Sequence, residues 1–181
     1  MNTVSEPDYL AHTRLWLEAA VIGQNLCPFA KAVHAKNQIR WVLSDAGDTD
    51  SLLACLEAEL HRLHATPPDI CDTTLIVHPR VLSNFFEFND FVGAAEDTLA
   101  ELGYEGVFQI AAFHPQFEFA DAPSGDISHY TNRAPYPTLH ILRESSVDKA
   151  VAAFPDAAAI YEANIRTLNT LGLAGWRKLG L

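Results

Sequence analysis

The sequence predicts an α/β protein whose helices surround a four-stranded mixed sheet. Apolar side chains recur at helical spacing in several segments, and shorter apolar runs bounded by turn residues lie between these segments. The predicted strands are residues 38–44, 73–78, 106–114 and 138–143. Because helices and strands alternate, crossover connections are expected, and they make at least part of the sheet parallel.

The first half of the chain predicts three helices. An amphipathic stretch covers residues 8–26, and Cys27, which precedes a proline, is expected to cap a short helix that runs to Ala32. The Asp-rich turn at 45–50 supplies capping side chains for a helix over 51–64.

The second half predicts three more helices. Ser83 is expected to cap a long helix that Gly103 ends, since glycine readily adopts the left-handed conformation of a helix C-terminus. A short helix over 147–153 and a final helix from Asp156 to Gly172 follow the last strand. With the short helix after Cys27 counted together with the first helix, the element order is α-β-α-β-α-β-β-α-α, in a single domain of 181 residues with its N-terminal and C-terminal helices packed on the sheet.

Two sheet arrangements fit this order, and a ferredoxin-like arrangement is favoured over a thioredoxin-like one. In the first, the second and third strands are parallel and end at the same edge of the sheet. In the second, the third strand is antiparallel to the first two, which separates the two strand ends.

Composition restricts the class of partner. The net charge of −11 argues against binding to nucleic acid or to an anionic membrane. No apolar stretch approaches the roughly 20 residues of a membrane-spanning helix. The chain begins without a signal peptide, and its three cysteines form no CxxC pair, so the expected location is the cytoplasm.

Three histidines are the leading candidates for catalysis or metal binding. His78 and His114 each end an apolar strand and are each followed by proline, and His140 lies in the last strand. If the three imidazoles meet at one edge of the sheet, they could hold a divalent metal such as zinc or act as acid and base. The alternative is that the His-Pro pairs only end strands and that His140 is a core residue.

The long loop at 115–137 provides candidate substrate-binding residues. Tyr130, Asn132 and Arg133 lie close together at its end, and a guanidinium group suits a small anionic ligand. Gln109, a lone amide in an apolar strand, is a further candidate because it needs hydrogen-bond partners.

Cys27 is a candidate thiol nucleophile because a helix N-terminus stabilises a thiolate. The sequence at 27–30, Cys-Pro-Phe-Ala, looks like the active-site start of glutaredoxin-like proteins. Here, however, it follows a helix and precedes the first strand, and simple packing of the thiol is the alternative.

Four motifs together resemble an uncharacterised bacterial family, the domain of unknown function numbered fourteen-fifteen. They are NLCPFAK at 25–31, LIVHP at 75–79, AFHP at 112–115 and YTNRAPYPTLHILRE at 130–144. The resemblance implies a bacterial, cytosolic, single-domain protein and brings no established activity.

Three functions follow as hypotheses. The first is a small-molecule enzyme, a hydrolase or lyase that binds an anionic substrate, with metal assistance as one version of this hypothesis. The second is a binding or adaptor protein without catalysis, and the third is a thiol-dependent enzyme that uses Cys27.

Overall fold

The computed structural model of the chain describes residues 8–152 and 157–181. Its helices are α1 (Tyr9–Trp16), continued by a π-helix (Leu17–Ile22), α2 (Ala30–Ala35), α3 (Thr49–Ala65), α4 (Phe85–Glu101), α5 (Glu144–Val151) and α6 (Ala157–Arg177). Its strands are β1 (Ile39–Leu43), β2 (Thr73–Val77), β3 (Phe108–Phe113) and β4 (Thr138–Arg143), with a 3-10 helix (Ile127–Thr131) before β4. The predicted α/β class, mixed four-stranded sheet and element order are confirmed.

The strands lie in the order β1-β2-β4-β3. β1 and β2 are parallel, and β4 is antiparallel to both β2 and β3, so β1, β2 and β3 all run in one direction. Thr138 of β4 pairs with Val77 on one side and with Phe113 on the other. β2 and β3 therefore end at the same height. The preference for a ferredoxin-like over a thioredoxin-like arrangement stays a prediction.

Each face of the sheet carries its own apolar layer. Helices α3 and α4 cover one face, where Leu56 and Phe88 pack with Ile76 of β2. The N-terminal helices cover the other face, where Trp16 packs with Leu75. Because successive side chains of a strand point to opposite faces, a residue's position in β2, β3 or β4 determines the layer it joins.

The predicted N-termini of α4 and α2 differ from the structure. The N-cap of α4 is Asn84, not Ser83, and its side-chain oxygen accepts hydrogen bonds from the amides of Phe86 (2.9 Å) and Glu87 (3.3 Å). Helix α2 begins after Phe29, so Cys27 is not its N-cap. The predicted start of the last helix, at Asp156, lies outside the described residues.

Gly172 interrupts α6 without ending it. Its backbone has φ +61°, a left-handed conformation that favours glycine, and helical turns resume up to Arg177. Within residues 8–152 and 157–181, none of the helices combines the length and apolar character needed to cross a membrane.

Candidate functional site

The structure brings His78 and His114 to one edge and one face of the sheet. They follow β2 and β3 directly, and both rings contact the ring of Phe88, with centroids 5.8 and 5.0 Å away. His78 and His114 each lie two positions after a strand residue of the α3–α4 layer, Ile76 and Ala112 respectively. Because every second side chain of a strand points to the same face, both imidazoles enter that layer. This part of the predicted site depends on β3 running in the same direction as β2.

The hydrogen bonds of His114 are those of a neutral structural imidazole. Its Nδ1 accepts from the amide of Gln116 at 3.0 Å, and its Nε2 donates to the carbonyl of Leu82 at 3.2 Å. The ring thus ties the start of the long loop to the loop that precedes α4. Burial lowers the pKa of His114, although the carbonyls of Leu82 and Ser83 oppose this effect.

His78 uses only one of its two ring nitrogens. Nδ1 donates to the carbonyl of Val81 at 3.2 Å, whereas the buried Nε2 has no hydrogen-bond partner among the residues that the structure describes. Burial lowers the pKa of His78 to about 4, against the opposing effect of the Val81 carbonyl. The exposed fractions of His78 and His114 are 0% and 1%, so both rings are closed off from solvent.

His140 does not join this pair. In β4 it lies opposite Leu75 and Ala111, on the face covered by the N-terminal helices. Its Nε2 donates to the hydroxyl of Thr73 (2.6 Å), which in turn donates to the carbonyl of Ile141. Burial lowers the pKa of His140 to about 4. His140 therefore has the environment of a core histidine, which was the alternative to a site role.

The predicted three-histidine metal centre is not formed, because the sheet separates His140 from His78 and His114. In the part of the chain that the structure describes, no group of three or more His, Cys, Asp or Glu side chains is arranged to hold a metal. The spacing of the histidines along the sequence could not reveal this. The face of each strand residue depends on its register.

Cys27 packs between apolar side chains on the same face as His140. Burial raises the pKa of its thiol, and the amides of Phe29 and Ala30 offset this only in part. Burial therefore outweighs the amides at the start of α2, and the thiolate character expected of Cys27 is not favoured.

The end of the long loop is fastened to β3 by Asn132. Its side-chain amide donates to the backbone carbonyl of Ala112 at 3.1 Å, and its backbone carbonyl accepts from the amide of His114 at 3.1 Å. Inside the loop, buried His129 accepts from the amide of Phe119 and donates to the carbonyl of Pro123. These contacts give the loop a defined shape without a regular sheet or long helix.

Arg133 lies between two clefts at this edge of the sheet. One, of about 380 Å³, is lined by Asn84, Phe85, Phe86, Pro115, Gln116, Glu118 and Arg133. We call it the carboxyl-edge cleft. The other, of about 160 Å³, shares Arg133 and Pro115 with it and is also lined by Tyr130 and Trp176.

The guanidinium group of Arg133 is held on three sides. Its Nε donates to the carbonyl of Phe117 at 3.0 Å, and its Cζ lies 4.6 Å from the centre of the Tyr130 ring. Its Nη2 is 3.7 Å from a carboxylate oxygen of Glu118, which is too long for a hydrogen bond. Part of its donor capacity therefore remains available to a ligand.

A family model described as a protein of unknown function, DUF1415, matches residues 8–178. The chain belongs to this family. No match was found among the curated proteins or among the solved structures. The assignment of the DUF1415 chain therefore carries no activity with it, and its function has to be argued from the geometry.

Gln109 of this DUF1415 chain does not face the site. It is exposed near the start of the edge strand β3, opposite Leu142, whereas the clefts lie beyond the other end of that strand. Solvent can hydrate its amide, so the need for internal partners that made it a candidate does not arise.

Sequence reasoning missed several cleft residues of the DUF1415 chain and the role of Arg143. Phe85, Phe86 and Gln116 were not selected, although the position of Gln116 beside a His-Pro strand end was a usable signal. Buried Arg143 donates to the carbonyls of Leu63 and Thr66 at the end of α3 and to the carbonyl of Cys71 in the loop before β2, with its Nε 3.6 Å from Asp72. It is a structural clamp.

Proposed function

We propose that this protein binds a small organic carboxylate in the carboxyl-edge cleft, with Arg133 as the anchor. The observation that supports this role is a partly buried guanidinium group, fixed by Phe117 and Tyr130, which lines an open cleft at the end of β3. The position agrees with the general placement of ligands at the carboxyl ends of strands.

The charges beside Arg133 favour a single carboxylate. Glu118 lies 3.7 Å from the guanidinium group, and the same carboxylate oxygen accepts a hydrogen bond from the Ser124 hydroxyl at 3.0 Å, so Glu118 leaves the Nη groups without a short acceptor. A ligand carboxylate can then form the paired hydrogen bonds that Glu118 does not make. The N-terminus of α4, which begins after Asn84 in the same cleft, adds a favourable field for an anion.

The rest of the cleft favours an apolar body on the ligand. Phe85, Phe86 and Pro115 line it, and the side chain of Phe86 is 78% exposed. A large aromatic side chain left this exposed gains free energy when a ligand covers it. A carboxylate attached to a ring or a short alkyl chain therefore matches both halves of the cleft.

Benzoate, with uncharged benzamide as the comparison, tests this role on the full chain by isothermal titration and by amide chemical shifts. We expect benzoate to bind in the carboxyl-edge cleft and benzamide to bind at least about tenfold more weakly, since one charge-assisted contact is worth roughly 1.5–3 kcal/mol. Arg133→Gln should weaken benzoate by a similar factor. Arg166→Gln, which changes an exposed arginine paired with Glu162 on α6, is the matched control.

A second variant separates ligand binding from loop stability. Glu118→Gln removes the competing carboxylate and should strengthen benzoate binding, whereas a purely structural Arg133–Glu118 pair predicts no gain. Equal binding of benzoate and benzamide, or unchanged affinity in Arg133→Gln, would contradict the proposal.

A hydrolase- or lyase-type reaction is a second candidate, and the unpartnered Nε2 of His78 favours it. This nitrogen could accept a proton only if an occupied cleft opens the layer formed by Phe85 and Phe88. The benzoate titration also tests this. If the His78 ring resonances shift at saturation, the occupied cleft reaches His78, as a catalytic role requires. If they do not change, the cleft only binds the ligand.

A further inference from the structure

A second cleft, of about 380 Å³, lies at the opposite edge of the sheet, where β1 begins. Its lining includes Arg14 of α1, Arg40 and Trp41 of β1, and Arg62 of α3. Three of the chain's 12 basic residues thus meet in one concavity of a protein whose net charge is −11. We call it the arginine cleft.

One carboxylate serves two of these arginines. The Nε and Nη2 of Arg40 donate to Glu59 at 2.6 and 2.9 Å, and the Nε of Arg62 lies 3.7 Å from the same side chain. Glu59 is buried, so it is held in place as their shared partner. Nη1 of Arg40 and both Nη groups of Arg62 are not used by Glu59.

Arg14 has no acidic partner among the described residues. Its guanidinium carbon lies 4.7 Å from the centre of the Trp41 ring, a cation–π contact that orients the group without consuming its in-plane donors. Three guanidinium charges against the one carboxylate of Glu59 leave two positive charges at the cleft.

This excess matches a phosphate group. A phosphomonoester carries nearly two negative charges at neutral pH and three acceptor oxygens, and guanidinium groups bind such oxygens through paired hydrogen bonds. The wall beside the arginines includes the apolar side chain of Ile70, which is 66% exposed and therefore in unfavourable contact with water. A ligand that has both a phosphate and an apolar part satisfies both features.

We propose that the arginine cleft binds a phosphate-bearing small molecule, with the phosphate held by Arg14, Arg40 and Arg62 and its organic part against Trp41 and Ile70. This site is independent of the carboxyl-edge cleft. The two clefts lie beyond opposite ends of the parallel strands, so the proposal for either cleft can be wrong while the other holds.

The test is a titration of the full chain with phenyl phosphate and with inorganic phosphate at constant ionic strength, followed by amide chemical shifts. Shifts that saturate at residues 37–41 and 66–71 are expected, with phenyl phosphate binding more tightly than inorganic phosphate. Arg14→Gln and Arg62→Gln should each raise the Kd about tenfold, whereas Arg166→Gln should leave it unchanged. Arg40 is kept, because its removal would leave Glu59 buried and unpaired.

Three results would overturn the proposal. They are shifts confined to the region of Arg133, a Kd that is the same in Arg14→Gln, Arg62→Gln and the unmodified chain, and no saturable change with either phosphate. Because both variants alter exposed or half-exposed side chains that pair with at most one acid, loss of folding does not confuse the result.

Discussion

Thr73 and Thr74 are neighbouring threonines of β2 that are both buried and differ in hydrogen bonding. The Thr73 hydroxyl joins His140 to the carbonyl of Ile141, whereas the Thr74 hydroxyl is on the other face and has no hydrogen-bond partner in the described part of the chain. The pair allows the worth of one buried hydroxyl to be measured within a single strand.

We predict that Thr73→Val destabilises the protein and that Thr74→Val does not. Valine has nearly the shape of threonine, so packing is kept in both variants. Thr73→Val leaves the Nε2–H of His140 without a partner and should lower the free energy of unfolding by about 1–3 kcal/mol. Thr74→Val removes a hydroxyl that is buried at a cost, and should be neutral or stabilising.

Urea unfolding of both variants at pH 7 is the measurement. An equal loss in the two would mean that the hydroxyl bonded to His140 contributes nothing beyond the shape of its side chain.

At this scale the sequence revealed residue types but not their environments. In β4, Arg143 lies three positions after His140 and therefore faces the opposite side of the sheet, where it stacks over Phe108 in the α3–α4 layer. Its carbonyl partners, including those of Leu63 and Cys71, lie far away in sequence. No local pattern could have identified them.

Helix α4 shows how far capping rules locate the start of an element. Ser83 and Asn84 are adjacent and both belong to the preferred N-cap types, so the sequence alone did not separate them. The structure selects Asn84, whose side-chain oxygen reaches two backbone amides of the first turn.

We predict that Asn84→Ala lowers the free energy of unfolding by about 1 kcal/mol, the usual worth of an N-cap side chain, and that Ser83→Ala lowers it by much less. Thermal or denaturant unfolding of the two variants is the measurement, and exposed Ser83 is the matched control. A larger loss for Ser83→Ala would place the helix start one residue earlier.

Among elements, periodic segments were predictable and irregular ones were not. β4 has the predicted bounds because its apolar run is closed by proline on one side and by Arg143 on the other. The loop before it has no periodicity. Its shape depends on side chains such as His129 and Asn132 that bind backbone groups, which a hydrophobic pattern does not encode.

The whole molecule contains buried neutral histidines, and this gives its stability a pH dependence. The pKa values of His78 and His140 are both lowered to about 4, whereas an unfolded chain protonates histidine near ~6.5. Between these two values the unfolded state binds more protons than the folded state. Stability is therefore full above pH 6.5 and is lost as the pH falls toward 4.

We predict that the free energy of unfolding falls by about 2 kcal/mol for each of these two histidines between pH 7 and pH 5. Urea unfolding at several pH values measures it. His140→Gln should remove about 2 kcal/mol of this fall, whatever its effect on stability at pH 7. A slope that is unchanged in this variant would mean that His140 is protonated in the folded state.

At the scale of the fold, the sequence predicted the sheet but not the site. Alternating helices and strands were enough for the class and order of the elements. Convergence of side chains required strand order and register as well, and these placed His140 on the wrong face for a centre with His78 and His114. Arg133 was selected from its chemistry, but its cleft depends on Phe85 and Phe86 of α4, 48 and 47 positions earlier in the chain.

The break at Gly172 has a practical consequence for anyone who handles this protein. Beyond it, the chain runs back over the long loop, where the ring of Trp176 lies 4.9 Å from that of Tyr130 and Leu181 borders the smaller cleft. A purification tag or fluorescent fusion attached after Leu181 would therefore begin at the rim of this cleft, within reach of Arg133. Material for ligand screening should have such an extension cut away by a protease before any negative result is believed.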